Sequence, residues 1–251
     1  YPELEDALPP LPENFDFDPR EPEEFRDSRR GEASKSRYLD GWSERHWRLF
    51  LWSYYRHVEM ADAEIGRIVA ALDEAGCAGE TLVIFSSDHG ECLGRHRLVT
   101  KSALYEEAAR VPLIVRWPGR VPAGRLDEEH LVSGLDLAPT VCDYAAAEPM
   151  PLARGASLRP LLERPDAPWR DAVIVSSRVT GRMVRTRRFK YVTYRGSPTE
   201  QLFDLQADPG ETRNLAGRPE YGGALAGHRA RLAEWESALE PAPPSAPLSM
   251  P

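Results

Sequence analysis

The spacing of apolar residues predicts one long helix followed by a buried strand. Between Ser43 and Ala75 apolar side chains recur every three or four residues, as on one face of an α-helix. Ser43 is a suitable N-cap, and Gly76 is a suitable residue to end the helix. The continuous apolar run from Leu82 to Phe85 predicts a strand buried on both faces. Together these elements indicate a protein of the α/β class.

A further helix and strand are predicted beyond this unit. Residues 102–110 predict a short helix, and residues 111–117 predict an apolar strand with Pro112 near its start, where a missing N–H is tolerated. Asp136 fits the N-cap of a helix predicted for residues 136–146. We favour this capping role over a catalytic one because Asp is among the strongest helix caps.

The pattern changes after residue 168. Short apolar segments separated by turn residues predict strands of a small antiparallel sheet at 172–179, 183–185, 189–194 and 201–205. A helix is expected at 221–239, followed by a Pro-rich, extended tail. We therefore expect residues 1–168 to belong to an α/β domain and residues 169–251 to form a small α+β subdomain with its tail.

The first 44 residues show neither the helical nor the strand spacing of apolar residues. They are rich in proline and acidic residues, as in the segment PELEDALPPLPENFDFDPREPEEF. Such a composition predicts an irregular arm that wraps a larger body rather than an independent domain.

Composition narrows the class of protein further. The 251 residues are 41% hydrophobic and 29% charged, which is ordinary for a soluble globular chain. A net charge of −8 gives no general case for nucleic-acid binding, and no apolar run reaches the roughly 20 residues that span a bilayer. The cysteines Cys77, Cys92 and Cys142 lie far apart, so we expect buried thiols rather than disulfides or a zinc site.

Candidate chemistry follows the first predicted strand directly. Asp88 offers a hard carboxylate oxygen and His89 an imidazole nitrogen, so the pair can hold a divalent cation. Neighbouring residues of a strand point to opposite faces, so Asp88 and His89 can bind one ion only if the strand ends near Asp88. Gly90 allows the chain to turn there. Lys101 can bring an ammonium group to an anionic substrate. Taken alone, the Asp-His-Gly triplet fits a structural role equally well, and two ligands are too few for such a cation.

Other charged residues favour simpler interpretations. Glu106 and Glu107 can serve as general acids, but in a short helix we expect them to be surface or supporting residues. A basic cluster can face an anionic polysaccharide, but the solvated face of an antiparallel sheet is the interpretation we favour. Its members are Arg178, Arg182, Arg185, Arg187, Arg188, Lys190 and Arg195.

Several segments resemble the sulfatase family of the alkaline-phosphatase superfamily. The string SSDHGECLGRHRLVTKSALYEEAARVPLIVRWPG is similar to its second signature region, in which a strand ends in Ser-Asp-His-Gly-Glu and a loop then leads to a Lys and an Arg-Val-Pro-Leu-Ile strand. AEIGRIVAALDEAG, GLDLAPTVCDYA, RTRRFKYV and QLFDLQADPGETRNLA resemble further segments, so the similarity runs from about Trp47 to Ala216. The resemblance implies a mostly parallel sheet flanked by helices, plus a small C-terminal antiparallel sheet with a helix.

The resemblance also implies roles for individual residues. Asp88 and His89 would be ligands of a divalent metal, commonly Ca²⁺ with Mg²⁺ or Mn²⁺ as alternatives, and Lys101 would contact the transferred sulfate. His96 would lie in the same loop near the pocket and is carried as a catalytic candidate. Arg95 and Arg97 stand where the family has an acid and a glycine, so the resemblance leaves the loop conformation and the exact substrate contacts open.

The motif that carries the nucleophile of the family does not begin at any cysteine of this chain. The family nucleophile is a Cys or Ser in a Cys/Ser-x-Pro-x-Arg motif, matured to formylglycine, with two early aspartates completing the metal site. Cys77 precedes AGE, Cys92 precedes LGR and Cys142 precedes DYA. We therefore expect this chain to resemble the C-terminal half of a sulfatase, inactive alone, with formylglycine and the other metal ligands in sequence not shown.

The resemblance implies hydrolysis of sulfate esters, with a sulfated small molecule or carbohydrate as substrate. The alternatives are a phosphodiesterase or phosphonate monoester hydrolase of the same superfamily, and a non-catalytic truncated or split protein. Partners would be the N-terminal half or a second copy, with neither nucleic acid nor a membrane span. The sequence leaves the location open between cytoplasm, periplasm and secretion.

Overall fold

A computed structural model describes residues 2–23, 25, 39, 41–101, 103–164, 166–177 and 181–239. Arg178, part of the arm and the predicted Pro-rich tail lie outside these described residues. The helices are α1 (Glu44–Glu74), α2 (Glu106–Ala109), α3 (Leu137–Tyr144), α4 (Arg159–Glu163) and α5 (Gly222–Ser237). The strands are β1 (Val83–Ser86), β2 (Leu113–Arg116), β3 (Ala172–Ser176), β4 (Gly181–Thr186), β5 (Phe189–Tyr194) and β6 (Gln201–Asp204).

The long helix α1 forms where the apolar spacing predicts it. Ser43 is its N-cap, and Gly76 follows its C-terminal end with a φ of 69°. The Gly76 N–H donates to the Asp73 carbonyl at 3.1 Å and the Cys77 N–H to the Leu72 carbonyl at 3.0 Å, which is a Schellman ending. Of the 31 helical residues, only Trp47 and Leu51 are buried, so most of the apolar face is uncovered.

Strands β1 and β2 form a two-stranded antiparallel sheet, in which Val83 pairs with Arg116 and Ser86 with Leu113. The prediction that β1 is buried on both faces is wrong for this chain, since all four of its residues are half-buried. The predicted α/β class is confirmed, and of the mostly parallel sheet the described residues include only this antiparallel pair.

The C-terminal strands form the predicted antiparallel sheet. Its order is β3-β4-β5-β6, so each strand pairs with the next one along the chain. Every residue of β6 is buried, as are four of the six in β5. Helix α5 packs on one side of this sheet, where Leu225 and Leu232 join Val184 and Leu202 in a core cluster.

The opposite side of the sheet packs against the segment that follows the candidate loop. Met183, Val192 and Phe203 form one core with Leu104 and Tyr105. Cys92 and Leu98, from the loop itself, belong to the same core. The C-terminal sheet therefore supports the base of the loop that carries the candidate residues.

Asp136 and the cysteines differ in detail from their predictions. Asp136 precedes α3, but its carboxylate accepts N–H groups of Ser133 and Ala156 and pairs with both terminal nitrogens of Arg170, rather than capping the helix. Among the cysteines, Cys92 is buried, Cys142 is half-buried and Cys77 is exposed. The expectation of buried thiols is therefore confirmed for Cys92 and wrong for Cys77.

Candidate active site

Asp88 and His89 converge because strand β1 ends before them. The last strand residue is Ser86, and the Ser87 hydroxyl donates to the His89 carbonyl at 2.8 Å, which turns the chain. The His89 N–H donates to Asp88 Oδ1 at 3.0 Å, while Asp88 Oδ2 lies 3.3 Å from His89 Nε2. The carboxylate and the imidazole therefore share one side of the turn, as one bound cation requires.

The orientation of His89 is fixed by its other ring nitrogen. Nδ1 lies 2.8 Å from the Gly90 carbonyl, which can only accept, so Nδ1 carries the proton and Nε2 presents a lone pair. Lys101 Nζ lies 2.5 Å from that Nε2. The structure thus brings three of the predicted residues, Asp88, His89 and Lys101, into one solvent-accessible cluster.

Gly90 is required by close packing rather than by an unusual φ. A Cβ at this position would lie 1.9 Å from the Glu107 carbonyl oxygen, so a side chain here would force the turn away from helix α2. The Gly90 N–H donates to the Ala108 carbonyl at 2.9 Å. Helix α2 therefore supports the turn that carries Asp88 and His89.

The loop between Cys92 and Lys101 has a strongly left-handed backbone. Positive φ angles occur at Gly94 and at four residues that carry side chains: Leu93, His96, Arg97 and Thr100. Each such non-glycine residue costs about 1–2 kcal/mol relative to ordinary backbone. The loop therefore depends on contacts from surrounding segments to keep this conformation.

His96 lies in the core, apart from the solvent-facing cluster. Its side chain is 1% exposed, and its ring stacks on Tyr105 with centroids 3.7 Å apart and planes 11° apart. Its backbone N–H donates to the Asn14 carbonyl at 2.7 Å. The structure does not bring this candidate together with Asp88, His89 and Lys101.

Glu107 is a supporting residue rather than a surface one. Its side chain is 14% exposed and lies 3.4 Å from the Arg95 guanidinium. It also accepts a hydrogen bond of 2.8 Å from the Asn14 amide. Asn14 lies in the irregular arm outside any motif, so sequence reasoning missed it.

Glu106 is a half-buried partner of the buried Lys190. Lys190 is fully buried, so its place in a solvated basic face was predicted wrongly. Its ammonium lies 2.9 Å from Glu106 and 2.7 Å from Glu211, and donates to the Leu104 carbonyl at 3.0 Å. In contrast, Arg187 and Arg188 are exposed and pair with carboxylates, as on a solvated face.

Two carboxylates sharing one ammonium cannot ionise alike. Burial raises the pKa of Glu211 to about 7, although the Lys190 charge opposes this shift. The pKa of Glu106 is lowered: burial alone would raise it, but Lys190 and Arg185 together outweigh that effect. Burial also raises the pKa of the Cys92 thiol, which makes it a poor nucleophile.

The cluster provides two donors that suit a divalent cation. Asp88 supplies a hard carboxylate oxygen and His89 supplies the lone pair of Nε2. Both atom types are suitable ligands of a divalent cation. Within the described part of the chain, no group of three or more His, Cys, Asp or Glu side chains is placed to hold a metal ion. A cation bound by this pair would therefore need further ligands from other residues.

None of the helices in the described part of the chain combines the length and the apolar character that crossing a membrane requires.

Two family models match the chain. Residues 12–147 match the model described as Sulfatase. Residues 94–237 match the model described as N-sulphoglucosamine sulphohydrolase, C-terminal. Between them, the two matches include the candidate cluster, the loop and the C-terminal sheet.

Individual relatives agree with these models. A Delta 4,5-hexuronate-2-O-sulfatase of Bacteroides thetaiotaomicron is 32% identical over 244 residues, covering 91% of this chain and 50% of the relative. A solved 2-O GAG sulfatase has a TM-score of 0.78 at 31% identity, covering 92% of this chain and 52% of that one. The chain thus spans about half the length of these relatives.

A solved structure with a different activity is also similar. The phosphonate monoester hydrolase of Silicibacter pomeroyi has a TM-score of 0.79 at 28% identity. The match covers 92% of this chain and 51% of that chain. The same architecture therefore occurs in hydrolases of two kinds of tetrahedral anionic group.

Proposed function

The chain belongs to the sulfatase family of hydrolases, and we propose that it supplies the C-terminal half of a site that hydrolyses sulfate esters. The observation that carries this proposal is the convergence of Asp88, His89 and Lys101 beyond strand β1. Two potential metal ligands next to one ammonium group suit a substrate with several negatively charged oxygens.

Asp88 and His89 would be the residues of this chain that hold the metal. Sulfatases typically use a divalent metal, and we propose Ca²⁺ here, with Mg²⁺ or Mn²⁺ as alternatives. When bound, the cation would supply positive charge that neutralises substrate oxygens. The Gly90 carbonyl keeps the Nδ1 proton of His89 in place. The lone pair of Nε2, which faces the Lys101 ammonium here, would become a ligand once that ammonium is displaced.

Lys101 would act on the sulfate itself. Its ammonium lies 2.5 Å from His89 Nε2, beside the proposed metal ligands, and would move off that lone pair toward the sulfate when the metal binds. A fixed ammonium donates hydrogen bonds to the sulfate oxygens and stabilises the charge that develops on them during transfer. His96 would contribute indirectly, because its ring is buried against Tyr105.

The nucleophile would come from the other half of the protein. We propose transfer of the sulfuryl group to a hydroxyl of a formylglycine hydrate outside this chain, with the alcohol of the ester as leaving group, followed by release of sulfate. The chain by itself would then be inactive. The uncovered apolar face of α1 supports a requirement for further polypeptide.

A sulfated carbohydrate is the substrate class that the relatives favour. The Delta 4,5-hexuronate-2-O-sulfatase is named for a sulfated sugar, and it matches 91% of this chain. Hydrolysis of a phosphonate monoester is the second candidate function, favoured by the similarity to the hydrolase of Silicibacter pomeroyi.

Replacement of Lys101 tests the proposal. In a protein that carries this chain together with the family's N-terminal half, Lys101→Ala should lower kcat/KM for a sulfate ester about a hundredfold or more, as loss of one preplaced donor does. The exposed Arg120→Ala is the matched control, because it also removes a cation. Unchanged turnover in Lys101→Ala would remove this residue from the site. A parallel assay with a phosphonate monoester ranks the two candidate functions.

A further inference from the structure

The loop before Lys101 needs support from outside itself. Its non-glycine residues with left-handed backbone, Leu93, His96, Arg97 and Thr100, are all within eight positions of Lys101. Internal hydrogen bonds join the Cys92 N–H to the Thr100 carbonyl at 2.9 Å and the Gly94 N–H to the Leu98 carbonyl at 2.8 Å. These bonds define the fold of the loop, but they do not fix it to the body of the protein.

Asn14 of the irregular arm connects the loop to two other segments. Its carbonyl accepts the His96 N–H at 2.7 Å. Its side-chain amide donates to Glu107 Oε1 at 2.8 Å and to the Gly210 carbonyl at 3.0 Å. Asn14 is 7% exposed, so these bonds are shielded from water. The amide nitrogen also lies 3.4 Å from His96 Nε2. The backbone and side chain of this one residue thus join the loop, helix α2 and the turn after β6.

The neighbours of Asn14 contact the same loop. Asp16 pairs with Arg97 at 2.9 Å, and the Arg97 guanidinium lies 5.0 Å from the centre of the Phe15 ring. The Phe15 ring also packs edge-on against Trp47, with centroids 5.4 Å apart. The arm therefore covers the outer surface of the loop.

The arm is itself tied to the C-terminal subdomain. Asp18 accepts the Asn214 N–H at 2.8 Å, and the Asn214 amide donates to the Arg20 carbonyl at 3.3 Å. Gly210 approaches so closely that a Cβ there would lie 3.3 Å from Asn14 Cβ. Residues 14–20 are therefore held between the loop and the C-terminal turn.

We propose that Asn14 is a positioning residue, which acts through the loop to hold Lys101 beside His89. The described residues of the irregular arm thus help to position Lys101, although none of them contributes a group to the cluster of Asp88, His89 and Lys101. The effect on catalysis rests on the role proposed above for Lys101, whereas the effect on the loop does not.

Amide hydrogen exchange on this chain tests the effect on the loop. Asn14→Leu keeps the approximate size of the side chain and removes the amide contacts with Glu107, Gly210 and His96. The Cys92, Gly94 and Leu98 amides should then exchange about tenfold faster, since local opening controls their exchange. The Val184 and Val192 amides of the sheet should keep their rates. Unchanged rates in the loop, or equal acceleration in the sheet, would overturn the proposal.

Two further variants sharpen that experiment. Asp16→Asn is the matched control, because the Asp16 side chain is 86% exposed and such pairs contribute little. It should leave the loop amides unchanged. Asn14→Asp keeps the shape of the residue and brings a carboxylate against Glu107, so it should accelerate exchange of the same amides. This variant replaces Asn14→Leu in the experiment if Asn14→Leu does not fold.

A double-mutant cycle in the complete protein tests the effect on catalysis. Asn14→Leu should lower kcat about tenfold or more, with a smaller change in KM, because small displacements of reacting groups are costly. In a Lys101→Ala background the same change should have no further effect, since the two act as a unit. Independent effects in the cycle would contradict the proposed coupling. If Lys101→Ala alone has no effect, the proposed function fails while the exchange result still stands.

Discussion

The two ends of this molecule bury their apolar residues very differently. In the C-terminal sheet, all four residues of β6 are buried, and Val184 and Leu202 are 0% exposed. In the α/β part, helix α1 buries only Trp47 and Leu51 among 31 residues. Both parts have regular apolar patterns, so the pattern alone does not decide burial. The C-terminal sheet has its core partners within this chain, whereas the apolar face of α1 is left without cover among the described residues.

The largest expected effect is in the C-terminal core. Phe203 is 1% exposed and packs against Tyr105, with ring centroids 5.9 Å apart. Phe203→Ala should lower the free energy of unfolding by about 3–5 kcal/mol, because it removes buried apolar surface and leaves a cavity. Urea unfolding followed by circular dichroism measures the change. A loss below about 1 kcal/mol would contradict the central place given to this core.

A smaller effect on the free energy of unfolding is expected from pH, through Glu211 beside the same sheet. Between pH 4.5 and about 7 the buried Glu211 carboxyl keeps a proton that the unfolded chain releases. The folded state binds more protons there, so the free energy of unfolding should fall as pH rises through this interval. The raised pKa of Glu211 corresponds to a change of at most about 3 kcal/mol in the free energy of unfolding, at 1.36 kcal/mol per pKa unit. Because the pKa of Glu106 is lowered, this residue changes the free energy of unfolding only at pH values below this interval.

Unfolding measured from pH 4.5 to 8 tests this slope. Glu211→Gln should flatten it, because the side chain no longer titrates. Glu220→Gln, a change of an exposed carboxylate, should keep the slope of the unmodified chain. An equal slope in both variants would assign the pH dependence to other groups.

The smallest effect is expected on α1 and compares the two regions directly. Val58 is 50% exposed and Val184 is 0% exposed, although both are valines in regular elements. Val58→Ala should change the free energy of unfolding by less than about 0.5 kcal/mol, whereas Val184→Ala should cost about 2 kcal/mol. Equal losses would show that the face of α1 is covered in solution. Joining the chain to the family's N-terminal half should raise the cost of Val58→Ala.

Much of the fold follows from local pattern. The spacing from Ser43 to Ala75 predicts α1, and Gly76 ends it with the expected positive φ. The segments after residue 168 form the predicted antiparallel sheet and helix. These predictions succeed because helix and hairpin formation depend on neighbouring residues. The burial of β1 was predicted wrongly because it depends on partners that an apolar run does not identify.

The candidate site was predictable only in part. Asp88, His89 and Lys101 lie in one short motif, so the sequence indicates them together. Asn14 is 82 positions from His96 and 196 from Gly210, in a segment without a motif. Lys190 stands in a run of basic residues that is typical of a solvated surface, yet it is fully buried with Glu106 and Glu211.

The sequence by itself therefore determined the family, the regular elements and the residues proposed for the cluster, because each depends on short-range order or on a contiguous motif. The tertiary structure alone decided which elements are covered, how Lys190 is neutralised and how the left-handed loop before Lys101 is held by the arm. These features depend on contacts between residues far apart in the chain. Local spacing carries no information about such contacts, since they form only when distant segments pack together.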